Sequence, residues 1–312
     1  MYVVTKRAKE KVTFTRVVRV EVTFFHFLYC AQVEEELFYE TKELKVFGGI
    51  TMSLNINDFS MDFFSLKGKN AIVTGGCSGL GQAFALALAK AGANIFCFAA
   101  VNDDGTTQKL IEDCGVKYTF MLGDITEDGI CDKVAEKCVE TYGSIDILVN
   151  CAGICKIADV LDFGRAEWDP MIAINLTGAF DLSHAVAKYM IPQKSGKIIN
   201  ICSLFSFLGG LGSPAYAAMK AGLMGLTKAY ADELGKYGIC VNGIAPGYFQ
   251  TSMTSGTGSA NDEKYIKIKE HVPADRWGER QDLMGTVVYL ASRASDYVNG
   301  TLAVVDGGYL VR

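Results

Sequence analysis

Residues 71–81 read Ala-Ile-Val-Thr-Gly-Gly-Cys-Ser-Gly-Leu-Gly: a short apolar run that stops on a glycine-rich turn. Residues 82–91, Gln-Ala-Phe-Ala-Leu-Ala-Leu-Ala-Lys-Ala, then read as a helix ended by Gly92. Gly75, Gly79 and Gly81 space the turn as GxxxGxG. Glycines there let the chain reverse tightly and let its backbone approach a pyrophosphate, whose charge a helix N-terminus favours. Cys77, Ser78 and Leu80 fill the turn and belong to the same candidate nucleotide site. The plainer reading of such a turn is close packing of a helix on a strand.

Outward from this unit the pattern repeats. Short apolar runs at 94–99, 118–122, 145–150, 197–202, 239–244 and 302–305 read as strands. Helical stretches fall at 105–114, 127–142, 168–190, 216–237 and 281–291. Continuous apolar strands alternating with helices predict a parallel sheet covered on both faces. The expected fold is therefore α/β: a single Rossmann-type, doubly wound domain over 61–312, with a seven-stranded parallel sheet. Residues 1–60 differ. A partly alternating stretch at 13–24 reads as a strand, and acidic 33–45 as a short helix. Met52 and Met61 both precede what reads as a natural domain start, so 1–60 is expected to be an extension outside the fold.

The chain has 312 residues, a formal net charge of −5 and 50% hydrophobic residues. That is enough for a large core, and no Lys/Arg cluster suggests nucleic acid. The most apolar N-terminal stretch, 17–33, contains Arg19 and Glu21 and is short for a membrane span. The 10 cysteines sit mostly in apolar or glycine-rich runs without zinc-ligand spacing, which predicts thiols in a reducing cytoplasm and no metal site.

Two further positions fall at strand C-termini, where open α/β sheets bind ligands. Asp124, with Ile125, follows the third strand, and Asn150-Cys-Ala152-Gly153 follows the fourth. Asp124 suits an adenine amino group or a helix cap; the small residues at 150–153 suit a close cofactor approach or a plain turn. The second strand ends in Ala99-Ala100, without the acidic residue that would hold a ribose 2′-hydroxyl. No Arg or Lys stands at 77, 78, 99 or 100 to meet a 2′-phosphate. An unpaired phosphate loses its charge-assisted contacts, so NAD is expected and NADP less so.

Tyr216-Ala-Ala-Met-Lys220 puts a phenol and an ammonium about one helical turn apart. The ammonium favours the phenolate and tunes it toward proton transfer at a carbonyl or alcohol carbon. Ser203, on another element, can bond the same substrate oxygen, although a turn hydroxyl explains it equally.

Taken together, TGGCSGLG (74–81), Asp124, NCAG (150–153), Asn175 in Ile-Asn-Leu-Thr-Gly, Ser203, YAAMK and PGYFQT (246–251) resemble the short-chain dehydrogenase/reductase family over about 65–312. The resemblance implies Tyr216 as proton donor and acceptor, and Lys220 as the residue that lowers its pKa and binds the nicotinamide ribose. It implies Ser203 orienting the substrate oxygen, Asn175 holding a water in a proton relay, and Pro246, Gly247 and Thr251 at the nicotinamide end. It also implies a homotetramer or homodimer.

Residues 62–69, 197–201, 274–278 and 295–309 are narrowly similar to the 2-dehydro-3-deoxy-D-gluconate 5-dehydrogenases and, less so, to gluconate 5-dehydrogenases. That resemblance implies a sugar-acid substrate. Lys156, Arg276 or Arg312 would meet its carboxylate, Phe205 and Tyr248 would line the pocket, and 248–272 would act as a lid. A 3-oxoacyl-carrier-protein reductase and a non-catalytic NAD sensor are the alternatives; the sensor would be expected to lack Tyr216 or Lys220.

Overall fold

The computed structural model describes residues 59–210, 212–251 and 263–312, and the backbone of 44–46 and 50–52. Its contacts divide the chain into two units, 1–58 and 59–312. In the first, strands β1 (Leu44–Val46) and β2 (Ile50–Met52) pair antiparallel. The end of the helix expected at 33–45 therefore falls in a strand. The remainder of that helix and the strand expected at 13–24 lie outside the described residues.

The second unit contains the seven-stranded sheet. Its strands are β3 (Asn70–Thr74), β4 (Asn94–Ala99), β5 (Tyr118–Leu122), β6 (Ile147–Asn150), β7 (Gly196–Ile201), β8 (Ile239–Pro246) and β9 (Leu302–Val305). All pair parallel, in the order β5-β4-β3-β6-β7-β8-β9. The chain runs outward from β3 to β5, then crosses to β6 on the other side of β3. That reversal opens a crevice at the strand C-termini between β3 and β6.

Alternating side chains feed two cores. Val73, Ile95 and Val149 pack with Phe84 and Leu88 of α1 (Gly79–Lys90) and Val287 and Leu290 of α8 (Met284–Ala291). Ile72, Phe96 and Leu148 face the opposite side. They pack with Val134 of α3 (Ile130–Tyr142) and Leu182 and Val186 of α5 (Gly178–Gln193). Between them in sequence lies the short α2 (Thr106–Glu112).

The long helix expected over 168–190 is not one α-helix. It begins earlier as α4 (Arg165–Ile172), loosens into a π turn at Ala173–Thr177, and resumes as α5. Periodicity near 3.6 cannot register one inserted residue. π turns recur at functional sites, and this one carries Asn175. The remaining helices are α6 (Pro214–Leu234), which carries Tyr216 and Lys220, and α7 (Glu263–His271).

Candidate active site

The glycine-rich turn folds back on itself. A Cβ at Gly81 would lie 2.2 Å from the Gly75 carbonyl oxygen, so only glycine lets α1 start there. Gly79, at φ +52°, has no heavy atom within 4 Å of where its Cβ would stand. The N-cap Ser78 makes no side-chain cap bond, which leaves the first N–H groups of α1 available to an anion. Thr74 ties this turn to its neighbour, its Oγ accepting from Cys151 N and Ala152 N, both at 2.9 Å. Gly75, Cys77, Ser78, Asp124, Ala152 and Gly153 line one crevice, together with Ile125 and the 98–101 end of β4. An open glycine backbone at an uncapped helix N-terminus fits a dinucleotide pyrophosphate.

Some predicted members point elsewhere. Leu80 packs on the α1 core. Asn150 is buried, and its Nδ2 donates to Asn200 Oδ1 at 2.8 Å and Ser183 Oγ at 2.9 Å. Its side chain braces β6 against β7 and α5, away from the crevice. Asp124 Oδ1 accepts from both Thr126 N and Thr126 Oγ1, closing a turn.

The expected catalytic set converges at the ends of β6 and β7. Ser203 caps the 3₁₀ turn after β7, and its Oγ accepts from Phe205 N at 3.2 Å. Its hydroxyl is the group that pulls the Tyr216 pKa down. Buried Lys220 donates from Nζ to Ile201 O at 2.5 Å and stands 5.6 Å from the Tyr216 ring centroid. The Asn175 amide pairs with the backbone of Ile154, accepting from its N at 2.9 Å and donating to its O at 2.8 Å. It thereby holds the loop that follows β6.

The family model described as enoyl-(acyl carrier protein) reductase matches residues 75–310. The chain belongs to the short-chain dehydrogenase/reductase family. It is 65% identical over 258 residues to YgcW of Escherichia coli K12, an uncharacterized oxidoreductase, covering 83% of this chain and 98% of that one. With the 2-dehydro-3-deoxy-D-gluconate 5-dehydrogenase of the same strain it shares 44% over 251 residues, 80% of this chain and 98% of the relative. A solved gluconate 5-dehydrogenase from Burkholderia cenocepacia, in complex with NADP and tartrate, superposes with TM-score 0.76 at 36% identity. That match covers 80% of this chain and 98% of the other. This short-chain dehydrogenase/reductase is thus an oxidoreductase with a nicotinamide dinucleotide site.

Burial pushes the Tyr216 pKa above its ordinary range, Cys155, Cys151 and Cys202 add to the rise, and the Ser203 hydroxyl opposes it. Burial also lowers the Lys220 pKa. A desolvated pair disfavours both charged forms, and the ammonium is committed to Ile201 O.

Phe205 meets Tyr216 edge to face at 5.7 Å. Lys156 is exposed. Arg276 is held by Asp282 in a bidentate pair, at 2.6 and 3.0 Å, so it is not a free carboxylate partner. Arg312 donates to the carbonyls of Glu270 and His271 at the end of α7. Tyr248 packs with Trp277 and Tyr309 and, with Arg276 and Asp282, lines a separate cavity of about 250 Å³. Gly247, against Asp306, and Pro246 close the end of β8, and half-buried Thr251 follows. Of the expected lid, 252–262 lies outside the described residues, while α7 docks by Trp277 Nε1 donating to Tyr265 O at 3.2 Å.

Sequence reasoning missed Lys264. Burial raises the Cys155 thiol, while the charges of Lys220 and Lys264 pull it down. No motif marks Lys264, which lies exposed on α7.

Proposed function

We propose that this enzyme interconverts a ketone and a secondary alcohol on a six-carbon keto-deoxy sugar acid, using NAD(H). The convergence of Ser203, Tyr216 and Lys220 beside the glycine-rich crevice carries the chemical reading. The bound nicotinamide supplies or accepts the hydride. Tyr216 gives or takes the proton at the substrate oxygen, and Ser203, which lowers the pKa of that phenol, orients the oxygen. Lys220 fixes α6 to the end of β7 and contacts the cofactor ribose. Asn175 holds the 153–154 backbone in place and supports the relay.

The substrate class rests on the relatives named for 2-dehydro-3-deoxy-D-gluconate and gluconate. The positive field at Cys155 supports it, because a sugar-acid carboxylate is stabilised there by Lys220 and Lys264. Lys156, exposed at the same loop, is a further partner. NAD is favoured over NADP because no cation lines the crevice at the end of β4. Asp103 also acts on Cys77 in the glycine-rich turn, and its negative charge would disfavour a phosphate there. Exposed Phe180, which stacks on Tyr230 and His184, leaves apolar surface on α5 and α6 that would suit assembly into a homotetramer or homodimer.

The test is a panel of 5-keto-D-gluconate, 2,5-didehydro-3-deoxy-D-gluconate and an acetoacetyl thioester, each with NADH and NADPH, read at the nicotinamide absorbance. The deoxy diketo acid with NADH should turn over fastest. Tyr216→Phe should lose about 10²- to 10⁴-fold in kcat. Near-full turnover by Tyr216→Phe would contradict the catalytic reading. Preference for the thioester would contradict the substrate class.

A further inference from the structure

We propose that Ser206 is a positioning residue for the reaction, its hydroxyl joining the backbone of Ser203 to the backbone of Lys220. The proposal rests on the reading of Tyr216 and Lys220 as the catalytic pair. Ser206 is 5% exposed and ends the 3₁₀ turn that Ser203 begins. Its Oγ accepts from Ser203 N at 3.3 Å and donates to Lys220 O at 2.8 Å. Its own N–H donates to Ser203 O at 3.0 Å. The Lys220 ammonium completes the circuit at Ile201 O. A closed ring of hydrogen bonds thus runs from the end of β7 through the serine turn to α6 and back along the lysine side chain.

A hydroxyl is suited to this place because it donates one hydrogen while accepting another. Alanine removes both bonds: the Lys220 carbonyl keeps its partner within α6, while the buried Ser203 N–H is left without one. Neither Ser203 nor Lys220 is altered, but their elements lose one of two hydrogen-bonded ties and keep only the lysine side chain on Ile201 O. The distance between those elements sets how closely the Ser203 hydroxyl approaches Tyr216, whose pKa it lowers. The other titratable groups around Tyr216 are Lys220 and the thiols of Cys151, Cys155 and Cys202, none of which the substitution changes.

The experiment compares Ser206→Ala, Ser206→Thr, Ser206→Cys and Tyr216→Phe with the wild type, on whichever sugar acid of the panel turns over faster. Ser206→Ala should lower kcat about 10- to 100-fold, the cost of a misplacement near 1 Å. Its KM for the cofactor should stay within about twofold. The limb of the kcat–pH profile that reports Tyr216 should move to higher pH, because the Ser203 bond that holds its pKa down is loosened. Ser206→Thr, which keeps the hydroxyl, should restore both. Wild-type kcat and an unmoved limb in Ser206→Ala overturn the proposal, and so does a loss of kcat with an unmoved limb that threonine does not rescue. If Ser206→Ala does not fold, Ser206→Cys weakens both bonds at nearly constant volume and carries the same readouts. Should Tyr216→Phe stay active, the catalytic reading falls and this proposal with it. Should Tyr216→Phe be inactive while the Ser206 variants behave as wild type, only the positioning role falls.

Discussion

Gly81→Ala is the sharpest test of the cofactor crevice. The added carbon would stand 2.2 Å from Gly75 O and 2.7 Å from Gly75 C. Ordinary carbon contacts are about 3.5–4.0 Å, so one side of the turn must yield by roughly 1 Å. Neither side is a loose side chain. Gly75 N donates to Phe98 O at 2.8 Å, and Gly75 packs against Ala152. The displacement therefore spreads along the pyrophosphate-facing backbone. A hydrogen bond stretched by about 1 Å from 2.9 Å is lost. Each bond to a charged group is worth about 1.5–3 kcal/mol, so the cofactor Kd should rise about 10- to 150-fold. Overpacking of this kind adds about 1–3 kcal/mol of destabilisation. The assay is titration of NADH fluorescence, beside a thermal melt confirming that the variant is folded at the assay temperature. Gly285→Ala is the control: its Cβ meets nothing within 4 Å at an exposed position of α8, and helix propensity gains about 0.5–1 kcal/mol. A folded Gly81→Ala with Kd within about threefold of wild type would refute the crevice assignment.

Alcohol oxidation needs Tyr216 deprotonated, and burial raises its pKa; oxidation rates should therefore climb with pH into the alkaline range, while ketone reduction, which needs the phenol, holds up to the same limb. Ser203→Ala removes a contact that lowers the Tyr216 pKa, so that limb should move up further in a kcat–pH series. Ala100→Arg puts a cation at the end of β4 in the crevice and should improve kcat/KM for NADPH about 10-fold or more, the worth of one charge-assisted bond. Lys264→Met should raise KM for 5-keto-D-gluconate about 3- to 10-fold, less at high salt. Arg276→Met, already neutralised by Asp282, should leave that KM unchanged; the reverse outcome for these two lysine and arginine variants would move the carboxylate site to the other cavity.

The sheet was legible because each strand is a continuous apolar run bounded by polar or glycine-rich residues. Ile72 and Val73 both had to be apolar, since each faces a different covered core. The Tyr216–Lys220 pair was legible because its spacing repeats a helical turn, and both residues lie on α6. Three things were not. The π turn at Ala173–Thr177 inserts one residue into a pattern that still scores as helix. Asn150 shares a motif with Ala152 and Gly153, but strand alternation turns its side chain into the β6–β7 core. Arg276 and Lys264 differ only in their neighbours: Asp282 lies six positions from Arg276, whereas Lys264 acts on Cys155 across the fold.

The Tyr216–Lys220 pair shows how far spacing alone carries chemistry. Four residues place the two groups on one helix face, and an isolated helix in water would leave the lysine free to favour the phenolate. Here β7 captures the ammonium with Ile201 O, and burial raises the cost of both charges. The side chain that lowers the tyrosine pKa is Ser203, in the turn after β7. If Tyr216 moves the proton as proposed, the distance between α6 and that turn bears on the transfer as well as the spacing of Tyr216 and Lys220 along the helix. That distance is held at two points, the lysine side chain on Ile201 and the lysine carbonyl on Ser206. Tuning of the acid–base group thus belongs to the residues that fasten helix to strand, and substitutions there should move the pH profile without touching substrate or cofactor.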